Sequence, residues 1–265
     1  MVTTLASGFI TNFSSSFKVK AFTLIEAIVV IAIMAVVAGI AAPVIFTALE
    51  RVETESTWEE MENIYTAMMG NPETGNYGYL GDMGIFPASL ADLNFLGGPT
   101  YTMKSNGIGM GWNGPYLLKG KNLQDYLYDA WGNNYNYSFS YNDPSTGCKG
   151  QVRVFSNGLD KNSGTGDDIQ LIRNITTHQN IQVNLYVWQS GAWVTPANYS
   201  GTLYYSNSGV EAGKAFSKVS PVVSMVHRGM HTIYARVVGG GPPIEGWKNF
   251  YVGEGTTIVD MYLKD

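Results

Sequence analysis

The chain has 265 residues and a mass of 28.9 kDa, room for one or two domains at ~150 residues each. Charged residues make up 14% and hydrophobic ones 45%, which excludes a disordered polar chain, and a net charge of -5 gives no basic excess for nucleic acid, so no nucleic-acid partner is expected. The lone cysteine, Cys148, excludes an intrachain disulfide framework and a cysteine-based zinc site.

In chain order, the first predicted element is a long apolar helix. Ala27–Leu49 holds 23 residues without a charge. At ~1.5 Å per residue this length crosses a bilayer core of ~30 Å. A soluble helix of this length would show a polar stripe, and this one has none. Lys18 and Lys20 precede the span and six glutamates between Glu50 and Glu62 follow it, with Arg51 the one cation among them. The cationic side stays in the cytoplasm, so the expectation is a single pass with the N-terminus inside and the C-terminal bulk outside. An ordinary secretory signal has an apolar core of only ~7–15 residues. Glu26 is out of place at the mouth of the span. A carboxylate at the centre of a membrane helix costs about 2.5–3.5 kcal/mol, and less near the interface. Either it snorkels to the interface, or it finds a cation outside its own span.

The stretch Lys18-Val19-Lys20-Ala21-Phe22-Thr23-Leu24-Ile25-Glu26 resembles the processing motif of type IV pilins and type II secretion pseudopilins, with Ala21 standing where the family usually has Gly. The resemblance implies removal of residues 1–21 by a prepilin peptidase cutting between Ala21 and Phe22, and N-methylation of Phe22. It implies an assembly role for Glu26, pairing with the Phe22 amine of a neighbouring subunit. Pro43 stands where the family has a helix-breaking proline, and its missing N–H is expected to loosen the helix there. Small residues (Ala35, Ala38, Gly39, Ala41, Ala42) would let such helices pack closely. The implied life history is membrane lipid first, then an inner-membrane assembly platform, then a helical homo-oligomeric filament, periplasmic or extracellular.

The helix is expected to run over 22–69, with residues 22–49 in the membrane. Beyond the span, Trp58, Met61, Tyr65 and Met68 follow a 3-4-3 spacing and predict one packed face. Gly70-Asn71-Pro72 predicts the stop. Residues 71–125 read as loop-rich, including Gly78–Gly84, with a short helix at Pro87–Leu93. Gly109-Met110-Gly111-Trp112-Asn113-Gly114 matches GxGxxG in letters, but follows no strand and runs into Pro115, so turn glycines are the reading.

Residues 126–169 carry a further resemblance to the major pseudopilin head. Tyr128–Tyr137 looks like its first strand turn and Val152–Asp160 like the next strand and its exit. Asp160–Ile169 then brackets a glycine-rich loop with three carboxylates. Carboxylates plus carbonyls suit Ca²⁺, which takes 6–8 oxygens; a solvated acidic turn is the alternative. By resemblance to the pseudopilin calcium loop, Asp160, Asp167 and Asp168 would be side-chain ligands, and Asn157 and Thr165 would add oxygens. The head is placed at 70–173.

The acidic excess is confined to residues before 176. From 178 to 265, alternating runs (Ile181–Val187, Gly201–Tyr205, His231–Val237, Thr256–Leu263) are separated by turn signals at 190–191, 207–209, 239–243 and 253–255. That predicts an antiparallel β-sandwich of about seven strands. Its order also resembles prealbumin-like, carboxypeptidase-regulatory-like modules, a likeness of fold and not of ligand. The fold class is therefore α+β: a long N-terminal transmembrane helix on a small antiparallel sheet, followed by an all-β sandwich.

Catalytic motifs are lacking. His227 and His231 are four apart but sit in a strand pattern without the HExxH glutamate, and His178 lies between the domains. Asn136, Asn174 and Asn198 are formal glycosylation acceptors. Trp188, Trp193, Tyr204, Tyr205 and Trp247 would suit a sugar-stacking face. Three functions follow: a pseudopilus or pilus subunit without enzymatic activity, a surface pilin whose sandwich binds a glycan or protein, and a membrane-tethered binding protein that never polymerises.

Overall fold

The computed structural model describes residues 23–117, 125–143, 149–239, 243–256 and 258–264. The chain divides into two compact units, Met1–Glu50 and Arg51–Asp265, and each is described by itself. The continuous helix α1 (Leu24–Met69) crosses that division.

In the first unit α1 is apolar and exposed on all sides: none of its most hydrophobic stretch is buried within the chain. Thr23 opens it with a capping box. The Thr23 N–H and hydroxyl donate to Glu26 Oε2 at 3.2 and 3.0 Å, and the Glu26 N–H donates back to Thr23 Oγ1 at 3.3 Å. As the expected span over 22–69 requires, the helix runs unbroken through Pro43. The flanking run of Ala, Val and Ile continues the ladder, and the Thr47 hydroxyl donates to the Pro43 carbonyl.

In the second unit the stem of α1 buries Thr57, Met61, Ile64, Ala67, Met68 and Met69. Met61 and Met68 lie on the face read from sequence, but Trp58 is 40% exposed and Tyr65 only partly packed. The packed stripe is centred about one residue further round, on Thr57 and Ile64. Gly70, at φ +72°, ends the helix; a Cβ there would lie 2.3 Å from the Tyr77 carbonyl carbon. A 3-10 turn (Pro72–Thr74) follows, capped by Asn71. Then comes α2 (Gly78–Met83), wholly buried, where a loop was expected. Six residues with glycines at 78 and 81 show no apolar period of their own; α2 takes its surroundings from distant strands. The short helix expected at Pro87–Leu93 is a 3-10 turn, Leu90–Leu93, with a Ser89/Asp92 capping box.

β1 (Thr102–Met103) and β2 (Gly109–Met110) form a small hairpin whose turn lies at Lys104–Ile108; of the glycines read as turn residues, Gly109 lies in β2 and Gly111, at φ +104°, follows it. The expected strand turn at Tyr128–Tyr137 is instead a closed turn, bridged between Tyr128 and Asn134, and the strand begins only at Asn136. β3 (Asn136–Asp143), β4 (Lys149–Ser156) and β5 (Ile169–Thr176) make an antiparallel meander. The inward side chains of this meander, Val152, Val154, Leu171 and Ile175, join Met61, Ile64, Met68, Leu80 and Leu93 in one core.

One residue, Thr177, separates β5 from the sandwich. Its strands are β6 (His178–Gln189), β7 (Ala192–Val194), β8 (Tyr199–Asn207), β9 (Val210–Ser217), β10 (Val222–His227), β11 (Gly229–Val237), β12 (Glu245–Val252) and β13 (Ile258–Leu263). One sheet runs β10-β6-β13 with β7 on β6, the other β12-β11-β8-β9. Eight strands replace about seven, and the pairing is not wholly antiparallel. β13 lies parallel to β6, from Ile258 opposite Gln182 to Leu263 opposite Val187, because the chain changes sheets between β12 and β13. Ser208 and Gly209, both at positive φ, make the two-residue turn that the β8–β9 hairpin requires. A second core, including Ile181, Leu185, Leu203, Ile233 and Met261, fills the sandwich.

The sandwich sits directly on α2. Ser206 Oγ donates to the Asp82 carbonyl at 2.8 Å, and the Gly209 N–H to the Met83 carbonyl at 2.9 Å. Gly81 and Gly229 let two backbones meet: a Cβ on Gly229 would lie 2.9 Å from Gly81 Cα.

Candidate functional site

The helix N-terminus holds the first locus. Ala21 and Phe22, the expected cleavage and methylation positions, lie outside the described residues. Among the described residues the Glu26 carboxylate meets Thr23, an uncharged partner. Pro43 lies 17 positions further along the same helix.

The second locus is the loop joining β4 to β5. It is built on Asp129, a buried carboxylate not singled out from sequence. Asp129 accepts from the N–H groups of Trp131 and Asn133 at 3.0 and 2.8 Å, from Asn133 Nδ2 at 3.0 Å, and from the Ser156 hydroxyl. Asn133 Nδ2 also donates to the Gly158 carbonyl at 2.7 Å, and the Gly158 N–H to Ser156 Oγ at 2.9 Å. These bonds fix the base of the loop. The sequence signal was present in Asp129-x-x-Gly132-Asn133, an Asx-type turn followed by strand residues.

Above that base the expected ligand residues crowd together. Asp167 Oδ2 accepts the Asp160 N–H at 2.9 Å, and its Oδ1 lies 2.7 Å from the Thr165 hydroxyl. Thr165 Oγ1 is also 3.2 Å from Asp160 Oδ1, which accepts the Asn162 N–H at 2.8 Å. Asp168 Oδ2 accepts the Gly164 N–H at 2.7 Å. Asn157 sits at the side, its Oδ1 3.4 Å from Asn136 Nδ2. The Asp160 N–H first, then the Thr165 hydroxyl, hold the Asp167 carboxyl below its ordinary range. Gly158, at φ +66°, keeps the turn tight: a Cβ would lie 2.4 Å from the Asp167 carbonyl oxygen.

The carboxylates thus accept from the loop's own N–H groups, and among the described residues no three His, Cys, Asp or Glu side chains are grouped as a metal shell. Two observations fit a hard cation all the same. The converging donors are all oxygen, and Asp168 Oδ1 is buried without a hydrogen-bond partner.

The three histidines form a cluster at the seat of the sandwich. His227 and His231 rings are 4.8 Å apart, and His178 and His227 rings 6.2 Å. His227 Nδ1 lies 2.8 Å from the Arg228 carbonyl, and its Nε2 faces the Ser206 carbonyl. His231 Nε2 lies 2.7 Å from the His227 carbonyl. Burial first, then neighbouring positive charge, lowers the pKa of His178 to about 4; burial lowers those of His227 and His231 as well. The aromatics read as one stacking face are divided between sheets. Trp188 and Trp193 meet on β6 and β7, with ring centroids 5.2 Å apart. Tyr204 and Trp247 meet on β8 and β12 of the other sheet, and Tyr205 packs against the core. A single platform of those five residues does not form.

Residues 16–42 match the prokaryotic N-terminal methylation motif, and residues 55–175 match the family described as type II secretion system (T2SS), protein G. The second match begins in the stem of α1 and ends one residue before the end of β5, so it takes in the stripe on α1, the meander and the oxygen-rich loop. Neither the curated proteins nor the solved structures include a match to this chain. A membrane-length apolar helix, a methylation motif at its start and a protein G head on its stem are the parts of a pseudopilin, and that family is structural rather than catalytic. The chain belongs to the type IV pilin and type II secretion pseudopilin family, and carries a β-sandwich after its pseudopilin head.

Proposed function

We propose that this chain is a subunit of a type II secretion-like pseudopilus that polymerises from the inner membrane. The observation carrying the proposal is the union, in one chain, of a methylation motif at 16–42 with a protein G head at 55–175. Prepilin peptidase cuts between Ala21 and Phe22, and Phe22 is N-methylated. The helix lies in lipid with its N-terminus inside until an assembly platform lifts it into a helical array of identical copies. There the lipid around α1 is replaced by the α1 helices of neighbours. Glu26, held in its own chain by a neutral threonine, gains the Phe22 amine of an adjacent subunit, and that pairing sets axial register. In apolar surroundings desolvation offsets much of the attraction, but a charge left there without its partner is costly, so removing one member of the pair is felt far more than at a surface.

Calcium belongs to the same reading. Asp160, Asp167 and Asp168 would hold it, with oxygens from Asn157 and Thr165. Bound there, the ion supplies positive charge for three clustered carboxylates and closes the loop between β4 and β5.

Glu26→Ala tests the assembly step. The variant is expected to be processed and membrane-inserted like the parent, yet to give at least tenfold fewer filaments by electron microscopy. Equal filament yield defeats the proposal.

A further inference from the structure

A cavity of about 340 Å³ opens beside α2, lined by Asn76, Tyr77, Asp82, Tyr101, Asn113 and Tyr116 among others. No Lys, Arg or His lines it among the described residues. Asp82 is 6% exposed. The Tyr116 hydroxyl donates to Asp82 Oδ2 at 2.9 Å and itself accepts the Asn113 N–H at 3.0 Å. Those contacts orient the phenol and commit its proton to the carboxylate. Tyr77 is braced from behind by stacking on Tyr251, with centroids 5.5 Å apart.

The two buried carboxylates of the head differ in kind. Asp129 collects four donors and is fully engaged in holding a turn. Among the described residues Asp82 is satisfied by Tyr116 and Asn113, both neutral. A carboxylate offers about four acceptor positions, so Asp82 keeps capacity at the wall of the cavity. A structural carboxylate placed this way gains little, because burial without a countercharge is costly. The same arrangement is a ready-made complement for a small cation.

We propose that this cavity binds a primary alkylammonium group, its charge on Asp82 and its N–H donors shared with the phenol oxygens of Tyr77, Tyr101 and Tyr116. A single carboxylate among phenols is a poor calcium site, since that ion takes 6–8 oxygens and several anionic ones. A quaternary ammonium has no N–H to give the phenol oxygens. Burial raises the Asp82 pKa to about 6, against which its bonds to Tyr116 and Asn113 act only partly, and a bound ammonium would pull it back down. The surrounding titratable groups are the three phenols; those of Tyr101 and Tyr116 are held above their ordinary range by burial first and then by Asp82. Binding therefore weakens as pH falls through about 6.

A free amine and a lysine side chain both present this group. The test uses the full chain in detergent micelles, titrated with n-propylammonium chloride and with Nα-acetyl-lysine methylamide, against potassium chloride and tetramethylammonium chloride. The expected result is saturable shifts of the Asp82, Tyr101 and Asn113 amide resonances with the two primary amines only. Affinity should fall at least about tenfold in Asp82→Asn, the loss expected when a charge-assisted contact is replaced by a neutral one. Should Asp82→Asn fail to fold, Tyr101→Phe removes one phenol oxygen and should still weaken binding. Carbodiimide treatment of the assembled protein separates the sources. An Asp82–lysine crosslink between copies assigns a neighbour's side chain, and saturable amine binding without it assigns a free amine. Shifts reproduced by potassium chloride, or unchanged affinity in both variants, would overturn the proposal.

Discussion

At the scale of single residues, two acidic positions carry the functional reading through their deficits. Glu26 lies at the start of an apolar helix with a threonine for company. Asp168 has one oxygen on the Gly164 N–H and the other buried and unmatched. An orphaned buried acceptor costs about 1–3 kcal/mol, which a cation at the loop would offset. Calcium is accordingly expected to raise the melting temperature of the parent, and a chelator to lower it. The gain approaches ~2.7 kcal/mol at a hundredfold excess over Kd. Asp160→Ala and Asp168→Ala should abolish the calcium-dependent part. A melting temperature indifferent to both calcium and chelator would remove the ion from the account. Asp129→Ala should destabilise the head by about 1–3 kcal/mol whether or not calcium is present, since it strands several donors at the base of the loop. Asp129 was legible in principle, as an Asx turn, but nothing local announces that Ser156 and Asn133 tie it to the loop base.

At the scale of elements, the parts written in local periodicity were the readable ones. The Gly70-Asn71-Pro72 stop, the strands of the sandwich and their turns at 190–191 and 207–209 follow from steric and period rules that act within a few residues. α2 was not readable, because what makes it a buried helix lies far along the chain: Asp82 and Ser206 are 124 positions apart. The stem was read one residue off because Met61 and Met68 fit both possible stripes, and only the incoming sheet selects Thr57 and Ile64 over Trp58 and Tyr65. Two outcomes belong here. Met61→Ala, at a fully buried position shared by both readings, should cost about 2–5 kcal/mol in chemical denaturation. Stability should also respond to pH through the histidine cluster. His178 is lowered from 6.5 to about 4, so between those values the unfolded chain binds a proton that the folded one refuses, and stability falls with falling pH. Asp82, raised from 3.8 to about 6, acts in the opposite sense over its own window, because there the folded state binds the extra proton. His178→Gln should flatten the acid side of the stability profile, and Asp82→Asn should steepen it. Thermal melts from pH 7 to 4 check both signs.

At the scale of the whole molecule, the family matches cover residues 16–42 and 55–175, and the sandwich is an addition to them. That addition is not loosely strung. One residue separates β5 from β6, and the sandwich meets the head through Ser206, Gly209 and Gly229 on α2. Gly84 marks how close the approach is: at φ +74°, a Cβ there would lie 2.0 Å from the Ser206 carbonyl oxygen. Gly84→Ala should therefore loosen head from sandwich together, lowering stability by at least about 1–3 kcal/mol, and limited proteolysis should then cut near Thr177. The most direct measurement of the central claim is the intact mass and sedimentation of the protein taken from the membranes of cells that make it. The account predicts a chain beginning at N-methylated Phe22 and sedimenting as long polymers. A full-length chain still bearing residues 1–21 and sedimenting as single copies would contradict it.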